Sequence, residues 1–369
     1  MKILWICKRF YTNHDLIIDR FGRNYHLPVL LKEAGFDVSV AAADYRRKSS
    51  ESVVIEQVEF TSFPLGIFGI AKYMKMMKTK IRDYGPDVVV ASGDTHFGYI
   101  GWILSRSINI PFVFDVYDHY PSFGTNRIPG MGYLYHYALK HADLVMCVSA
   151  NLEKYIAAYN KNIIRIENGV DMNVFHPMDR SACRKNLSIG ENENVIGYFG
   201  SMEKMRGIDT LVNSCLLLSE KYGIKLRLLL AGVKPETLNF EYDWIDYRGV
   251  ISQQEIAVLL NACSVVVLPY NREQQIYYAN SCKIAEYFSC RVPIVSTRVE
   301  DFISNYPKEA ARLGEAICEP GDPVSMSKSI RFQLENQLVI FPESNLDWNS
   351  NARKLINGIQ SLFTAGKIT

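Results

Sequence analysis

The chain lacks any long apolar run: stretches such as Val265 to Leu268 have the length of a strand and fall far short of a membrane span. Its eight cysteines stand singly, with no C-x-x-C pair and no His/Cys ligand spacing, so neither a disulfide framework nor a structural zinc is expected and a reducing cytoplasm is the simpler home. H-E-x-x-H, G-x-x-x-x-G-K-[ST], G-x-S-x-G and D-x-D are all missing. The sequence therefore offers no zinc-protease helix, no P-loop, no nucleophile elbow and no carboxylate pair for a divalent metal. A formal net charge of only +2 gives no general pull towards nucleic acid. Met1-Lys2 leads into ILWIC and then Lys8-Arg9, which reads as a first strand and not as a signal peptide.

What is present describes a soluble globular protein, with 48% hydrophobic and 22% charged residues. A length of 369 residues exceeds one ordinary core, so two domains are expected. Short apolar runs (Ile3–Cys7, Val38–Ala42, Val88–Ala91, Phe112–Phe114, Leu144–Val148, Ile163–Ile166) alternate with helix-length segments such as Arg23–Ala34, Ala71–Asp83 and Met131–His141. A polar stretch follows Asn168-Gly169-Val170-Asp171, and a second series runs through Val195–Phe199, Leu226–Ala231, Trp244–Tyr247, Val265–Leu268, Pro293–Ser296 and Ala316–Cys318. Continuous apolar strands separated by helices predict parallel sheets covered on both faces, hence an α/β protein of two Rossmann-like domains facing a central cleft. Residues 1–170 form the first domain and 171–345 the second, while 346–369 form a helix packing back on the first. Ligands of such sheets sit beyond the carboxyl ends of the strands, so the loops there hold the candidate residues.

The richest stretch is NSCKIAEYFSCRVPIVS, residues 280 to 296. Lys283 and Glu286 share one face of a predicted helix, with Ile284, Tyr287 and Phe288 turned inward. A cation near a loop–helix junction suits a phosphate, and a carboxylate one turn on suits a ribose diol. Alone, the pair reads rather as a surface ion pair worth about 0.2–0.5 kcal/mol. Upstream, strand Val195–Phe199 ends at Gly200, and Lys204 and Arg206 occupy the loop before Gly207 and a helix. That loop suits a diphosphate held by cations, or is a plain strand–helix turn with a solvated basic face. Gly249 in Arg248-Gly249-Val250 leaves room for a flat base that Val250 would meet through its backbone, or simply turns the chain. In the first half, Asp115, Asp118 and His119 follow strand Phe112–Phe114. Gly22 with Arg20 and Arg23 marks a loop that either meets an acceptor or phosphate or is solvated.

NGVD at 168–171 with Phe175 and Pro177, the FGSM…RGID opening, the RGVIS turn, LPY, and S-x-K-x-x-E-Y-x-x-x-x-V-P-x-V resemble, in order, the family-four retaining glycosyltransferases of GT-B architecture. The resemblance spans the whole second domain and the linker, and more loosely the first domain. It implies that Glu286 binds the nucleotide ribose and that Arg206 and Lys283 face the diphosphate of a nucleoside-diphosphate sugar. It implies His119 as a catalytic-cleft residue hydrogen-bonding the donor sugar, with Asp118 orienting the acceptor or His119. It also implies retention without a strong base, because the departing phosphate accepts the acceptor's proton, and no metal or other cofactor. The chain departs from the family in three places. Tyr278 replaces a glutamate eight residues before Glu286 that contacts the sugar, leaving Asn280 and the amides near Ala279 to take over. Ser201 replaces an arginine, so Lys204 would have to reach the diphosphate, and the N-terminal Gly-Gly loop is reduced to Gly22.

The segment GIAKYMKMMKTKIR sets Ile70, Tyr73, Met74, Met77 and Ile81 on one stripe and Lys72, Lys75, Lys78 and Arg82 on other faces. Next to Phe63, Leu65, Ile67 and Phe68, residues 63–82 read either as a basic amphipathic contact with an anionic membrane or as a core stripe with a solvated basic face. The expected activity is glycosyl transfer from a nucleotide sugar to a glycan or lipid-linked glycan in bacterial surface polysaccharide assembly, at the inner face of the membrane. Two alternatives stay open: a GT-B sugar-nucleotide epimerase and a non-catalytic sugar-nucleotide-binding protein.

Overall fold

The computed structural model describes residues 1–11, 14–46, 50–65, 69–124, 128–344 and 346–364, with the backbone alone at residue 70. The chain forms two compact units, Met1–Gly169 with Trp348–Thr369, and Val170–Asp347. The first unit holds β1 (Lys2–Lys8), β2 (Phe10–Tyr11), β3 (His14–Asp15), β4 (Asp37–Asp44), β5 (Glu51–Ile55), β6 (Val58–Pro64), β7 (Val88–Ser92), β8 (Phe112–Val116), β9 (Leu144–Cys147) and β10 (Ile163–Arg165). Eight of these make one sheet in the order β10-β9-β8-β7-β1-β4-β6-β5, and β2 and β3 pair separately. All neighbours in the large sheet run parallel except β5 and β6. Every residue of β7 and β8 is buried, as a sheet covered on both faces requires.

The hairpin of β5 and β6 escaped the sequence reading. Its turn, Glu56-Gln57, takes φ of 46° and 62° at both residues, the geometry normally marked by Asn-Gly. Glu and Gln carry no such signal, and the strand before them is mostly exposed.

Helix Gly69–Tyr84 resolves the ambiguity of its apolar stripe. Tyr73, Met77 and Ile81 are buried against the fold, as is Phe63, so these members of the stripe are core, while Met74 is half-buried. Lys72, Lys75, Lys78 and Arg82 remain exposed. Ile67 and Phe68, and the side chain of Ile70, lie outside the described residues.

The second unit contains β11 (Asn194–Phe199), β12 (Leu226–Ala231), β13 (Ile245–Tyr247), β14 (Val265–Leu268), β15 (Ile294–Thr297) and β16 (Ile317–Cys318). They form one parallel sheet in the order β13-β12-β11-β14-β15-β16. This is the doubly wound arrangement, whose strand order reverses between β11 and β14 and opens a crevice at their carboxyl ends. In the first unit the equivalent reversal falls between β1 and β7.

The last helix, Trp348–Thr364, follows the second unit in sequence and belongs to the first in space. Trp348 stacks on His26 with centroids 5.1 Å apart, and Leu355 and Ile359 are fully buried. Gly358 allows the close approach, since a Cβ there would lie 2.9 Å from Ile164 and 3.1 Å from Leu144. Where the chain changes units, Val170 N donates to Leu346 O at 2.9 Å and Val170 bridges Asp347, so the two crossings run side by side.

Candidate functional site

In the second unit, three neighbouring strands end in glycine. Gly200 closes β11 and its N–H donates to Ala231 O at 2.7 Å. Gly232 closes β12 and donates to Gly249 O, just past β13, at 2.6 Å. A Cβ on Gly232 would collide with the Gly200 carbonyl, and one on Gly200 with Cε and Nζ of Lys283. The bare backbone thus makes the space that the Lys283 ammonium occupies, 5.9 Å from the Tyr198 ring. Gly249 faces open space, with nothing within 4 Å of an added Cβ, and Val250 is exposed beside it. Gly232 was not foreseen, although its position one strand over from Gly200 follows once the register is known.

The loop after β11 is tied to the loop after β14 across the switch point. Lys204–Arg206 form a 3-10 turn ending at Gly207. Asn271 N donates to Met205 O at 2.9 Å, and its side-chain amide donates to Lys204 O at 2.9 Å. Arg206 lies over the Tyr270 ring at 4.7 Å, and among the described residues its buried Nε has no hydrogen-bond partner. Burial works against its charge, but Tyr270, Tyr198, Asp301 and Glu203 outweigh this and hold it protonated. Lys204 is exposed on the same turn.

Helix Cys282–Ser289 supplies the other cation and the carboxylate. Ile284, Ala285, Tyr287 and Phe288 are buried, which aims Lys283 and Glu286 to the opposite side. Among the described residues the two form no ion pair, so the surface-pair alternative does not describe them. Burial pushes the Glu286 carboxyl up to about 7, with Lys283 pulling the other way. A third group was missed by sequence. Asp301 is fully buried, accepts from Ser281 N at 2.9 Å and leaves Oδ2 without a partner among the described residues. Burial pushes it up to about 6, against the pull of Ser281 N, Arg206 and Lys283. It sits after β15 in a helix of four residues, too short for a periodic signal. Tyr278 is half-buried on helix Gln274–Tyr278, packed at 4.9 Å against Tyr277. Asn280 is buried and directs its amide to Tyr306 Oη at 3.4 Å.

In the first unit the candidate residues separate into two kinds. Arg23 is no open-loop side chain: it is 1% exposed and forms a fork with Asp115, Nε to Oδ2 at 2.9 Å and Nη2 to Oδ1 at 2.7 Å. Its Nη1 donates to Ile166 O at 3.1 Å and Asn168 Oδ1 at 3.3 Å. Its donors are committed to the fold, which corrects its reading as an acceptor contact. Gly22 precedes helix Arg23–Glu33 at φ 75°, and its carbonyl accepts from Tyr25 and His26 at 3.0 Å each. His119 is 6% exposed, with Nδ1 2.6 Å from Ser122 Oγ and its ring edge-on to Tyr155 at 4.8 Å. Burial, helped by His136, pushes the imidazole down to about 4, so it is neutral at physiological pH. Asp118, one residue before, is half-buried. At the reversal between β1 and β7 lies a pair the sequence reading did not name, Lys8 Nζ to Asp94 Oδ2 at 2.6 Å. No cluster of three or more His, Cys, Asp or Glu among the described residues is arranged to hold a metal ion, and no described helix is long and apolar enough to cross a membrane.

Residues 25–174 match the model of Glycosyltransferase Family 4, and residues 193–336 that of Glycosyl transferases group 1, so the two together account for most of the chain. An uncharacterized glycosyltransferase of Methanocaldococcus jannaschii is 23% identical over 274 residues, which covers 73% of this chain and 72% of that one. Among solved structures, the sucrose-phosphate synthase of Thermosynechococcus elongatus superposes with a TM-score of 0.74 at 16% identity, covering 99% of both chains. The HepE protein of Anabaena, solved in complex with UDP-glucose, superposes with a TM-score of 0.67 at 16% identity, covering 100% of both. The chain belongs to the family-four glycosyltransferases, built on the GT-B plan as two α/β units whose sheets are parallel or largely so.

Proposed function

We propose that the protein moves a sugar from a nucleoside-diphosphate donor to a glycan or lipid-linked glycan acceptor, with retention of configuration and without a metal. One observation carries this reading: two cations, Lys283 and Arg206, and an unshared carboxylate, Glu286, gather where glycine-ended strands leave the backbone open at the switch point of the second unit. Fixed cations at such a crevice offset a diphosphate's charge, each charge-assisted bond contributing about 1.5–3 kcal/mol. Gly249 leaves room for the base, with Val250 beside it, and Glu286 accepts from the ribose hydroxyls. Asn280 and Tyr278 border the sugar, and the HepE complex with UDP-glucose supports a donor of this class.

In the same scheme neutral His119 donates a hydrogen bond to the sugar, Asp118 orients the acceptor, and the leaving phosphate takes the acceptor's proton. The reaction belongs to polysaccharide assembly on the cytoplasmic side of the membrane. His119→Ala is expected to lower turnover far more than nucleotide affinity; intact turnover would make it a loop residue only. Activity should survive EDTA, and its full loss there would remove the metal-free mechanism.

Glu286 gives a signed pH test. Glu286→Ala is expected to weaken nucleotide binding by about 1.5–3 kcal/mol in calorimetry. Because the free carboxyl titrates near 7, the wild-type affinity should fall as pH drops below 7, and Glu286→Gln should flatten that dependence. A raised carboxyl also favours the fold fully below its ordinary value near 4.5, and that contribution is lost as pH rises through 7. Equal affinity at pH 6 and 8 would remove the ribose assignment. Isomerisation of the donor without an acceptor would reveal an epimerase, and binding with neither transfer nor slow hydrolysis a silent binder.

A further inference from the structure

Two atoms of charged side chains in the second unit are enclosed and unsatisfied. Arg206 Nε and Asp301 Oδ2 are both buried, and neither has a hydrogen-bond partner among the described residues. Asp301 forms no ion pair among the described residues, yet Arg206 and Lys283 both act on it electrostatically. An enclosed carboxylate oxygen without a donor is costly, so its presence points to a use. The other oxygen of Asp301 accepts from Ser281 N at 2.9 Å. Ser281 is the N-cap residue of helix Cys282–Ser289, which carries Lys283 and Glu286. Its Oγ lies 3.1 Å from Tyr270 Oη, and Arg206 lies over the Tyr270 ring at 4.7 Å. One acid is thus fixed in the same small group of contacts as the two cations.

Two further acids act on these cations, and they differ from Asp301. Glu203 faces Arg206 from an exposed position, and Glu286 faces Lys283 while half-buried. Water screens the first, and the ribose engages the second in the transferase scheme. Of the three, Asp301 has no exposed surface, so its field on the cations is screened least. A diphosphate entering this crevice meets two cations whose attraction is partly cancelled.

We propose that Asp301 is a positioning residue that acts on the nucleoside diphosphate through Arg206 and Lys283, offsetting part of their pull so that the product nucleotide can leave. This role rests on the transferase reading, in which those cations hold the diphosphate. It gives a use to a carboxylate that the scheme above leaves idle. Asparagine at this position keeps an oxygen to accept from Ser281 N and removes the charge. The start of the helix then stays in place while the field of the cations grows.

Calorimetry with UDP, ADP and GDP finds the diphosphate that the wild type binds, and the matching nucleoside, followed by ligand-observed NMR, is the phosphate-free control. The comparison is made at pH 8, where the Asp301 and Glu286 carboxyls, pushed up to about 6 and about 7, are ionised. Asp301→Asn should bind the diphosphate about tenfold more tightly, the order expected when one poorly screened charge is removed from beside two cations. Most of the gain should be slower dissociation in stopped flow. Nucleoside affinity should stay the same, whereas a residue that merely held the loop would move both ligands alike. Asp301→Asn should melt no lower than the wild type, because a buried charge is gone. Asp301→Ser, which also keeps an oxygen near Ser281 N, makes the same comparison if the first variant does not fold. Diphosphate affinity unchanged or weakened in a folded variant, or a gain shared by the nucleoside, would overturn the proposal and leave the transferase reading standing. A wild type that binds none of the three diphosphates would sink that reading, and this role with it.

Discussion

Arg23→Ala should lower the free energy of unfolding by about 3–5 kcal/mol, because it strands a carboxylate inside the protein. Asp115 has no exposed surface, and without the guanidinium its remaining described partner is the Ser92 hydroxyl at 2.6 Å. Ile166 O and the Asn168 side chain lose a donor in the same step. Lysine at position 23 keeps the charge but cannot reproduce the fork, so Arg23→Lys should recover only part of the loss. Replacing both partners by apolar residues of similar volume should recover more, since the buried charge is then gone. Urea denaturation reads all three variants. A loss below about 1 kcal/mol for the alanine variant would contradict the buried pair, because only solvent-screened pairs contribute so little.

Gly207→Ala should be nearly as damaging, by about 2–4 kcal/mol, and it should also weaken nucleotide binding. The residue sits at φ 65°, where a side chain costs roughly 1 kcal/mol. A Cβ there would also run into the carbonyl of Pro269, which is main chain and cannot rotate away. Forced overpacking of that kind costs roughly 1–3 kcal/mol more. Relief requires the 204–206 turn to part from the loop after β14, taking Arg206 with it. Gly249→Ala isolates the two contributions, since Gly249 has φ 69° but open space around it. It should show the conformational cost alone. Equal midpoints in denaturant for the two variants would remove the collision, and unchanged calorimetry for Gly207→Ala would separate this turn from the ligand.

Sequence and structure agree where local physics is strong. Leu226–Ala231 and Met131–His141 begin and end where apolar pattern and flanking polar residues put them. Lys283 and Glu286 were legible because four buried neighbours on a short helix define its solvent side. Arg23 was not, since a charged residue after a glycine reads as loop, and its partner lies 92 residues away on a strand that only the topology brings near. Asp301 escaped for the same reason: nothing local says that a carboxylate in a four-residue helix will be enclosed beside two cations. The basic helix was ambiguous because a stripe at helical spacing fits a core and a bilayer alike, and only burial decides between them.

The last helix, seated in the first unit although it follows the second, sets how this protein can be taken apart. Cutting after Gly169 yields a leading fragment deprived of a piece of its own interior, and a trailing one with Leu355 and Ile359 laid bare. A free-standing second unit should therefore end at Asp347, and its companion needs residues 348–364 returned, as a separate peptide or spliced ahead of Met1 by circular permutation.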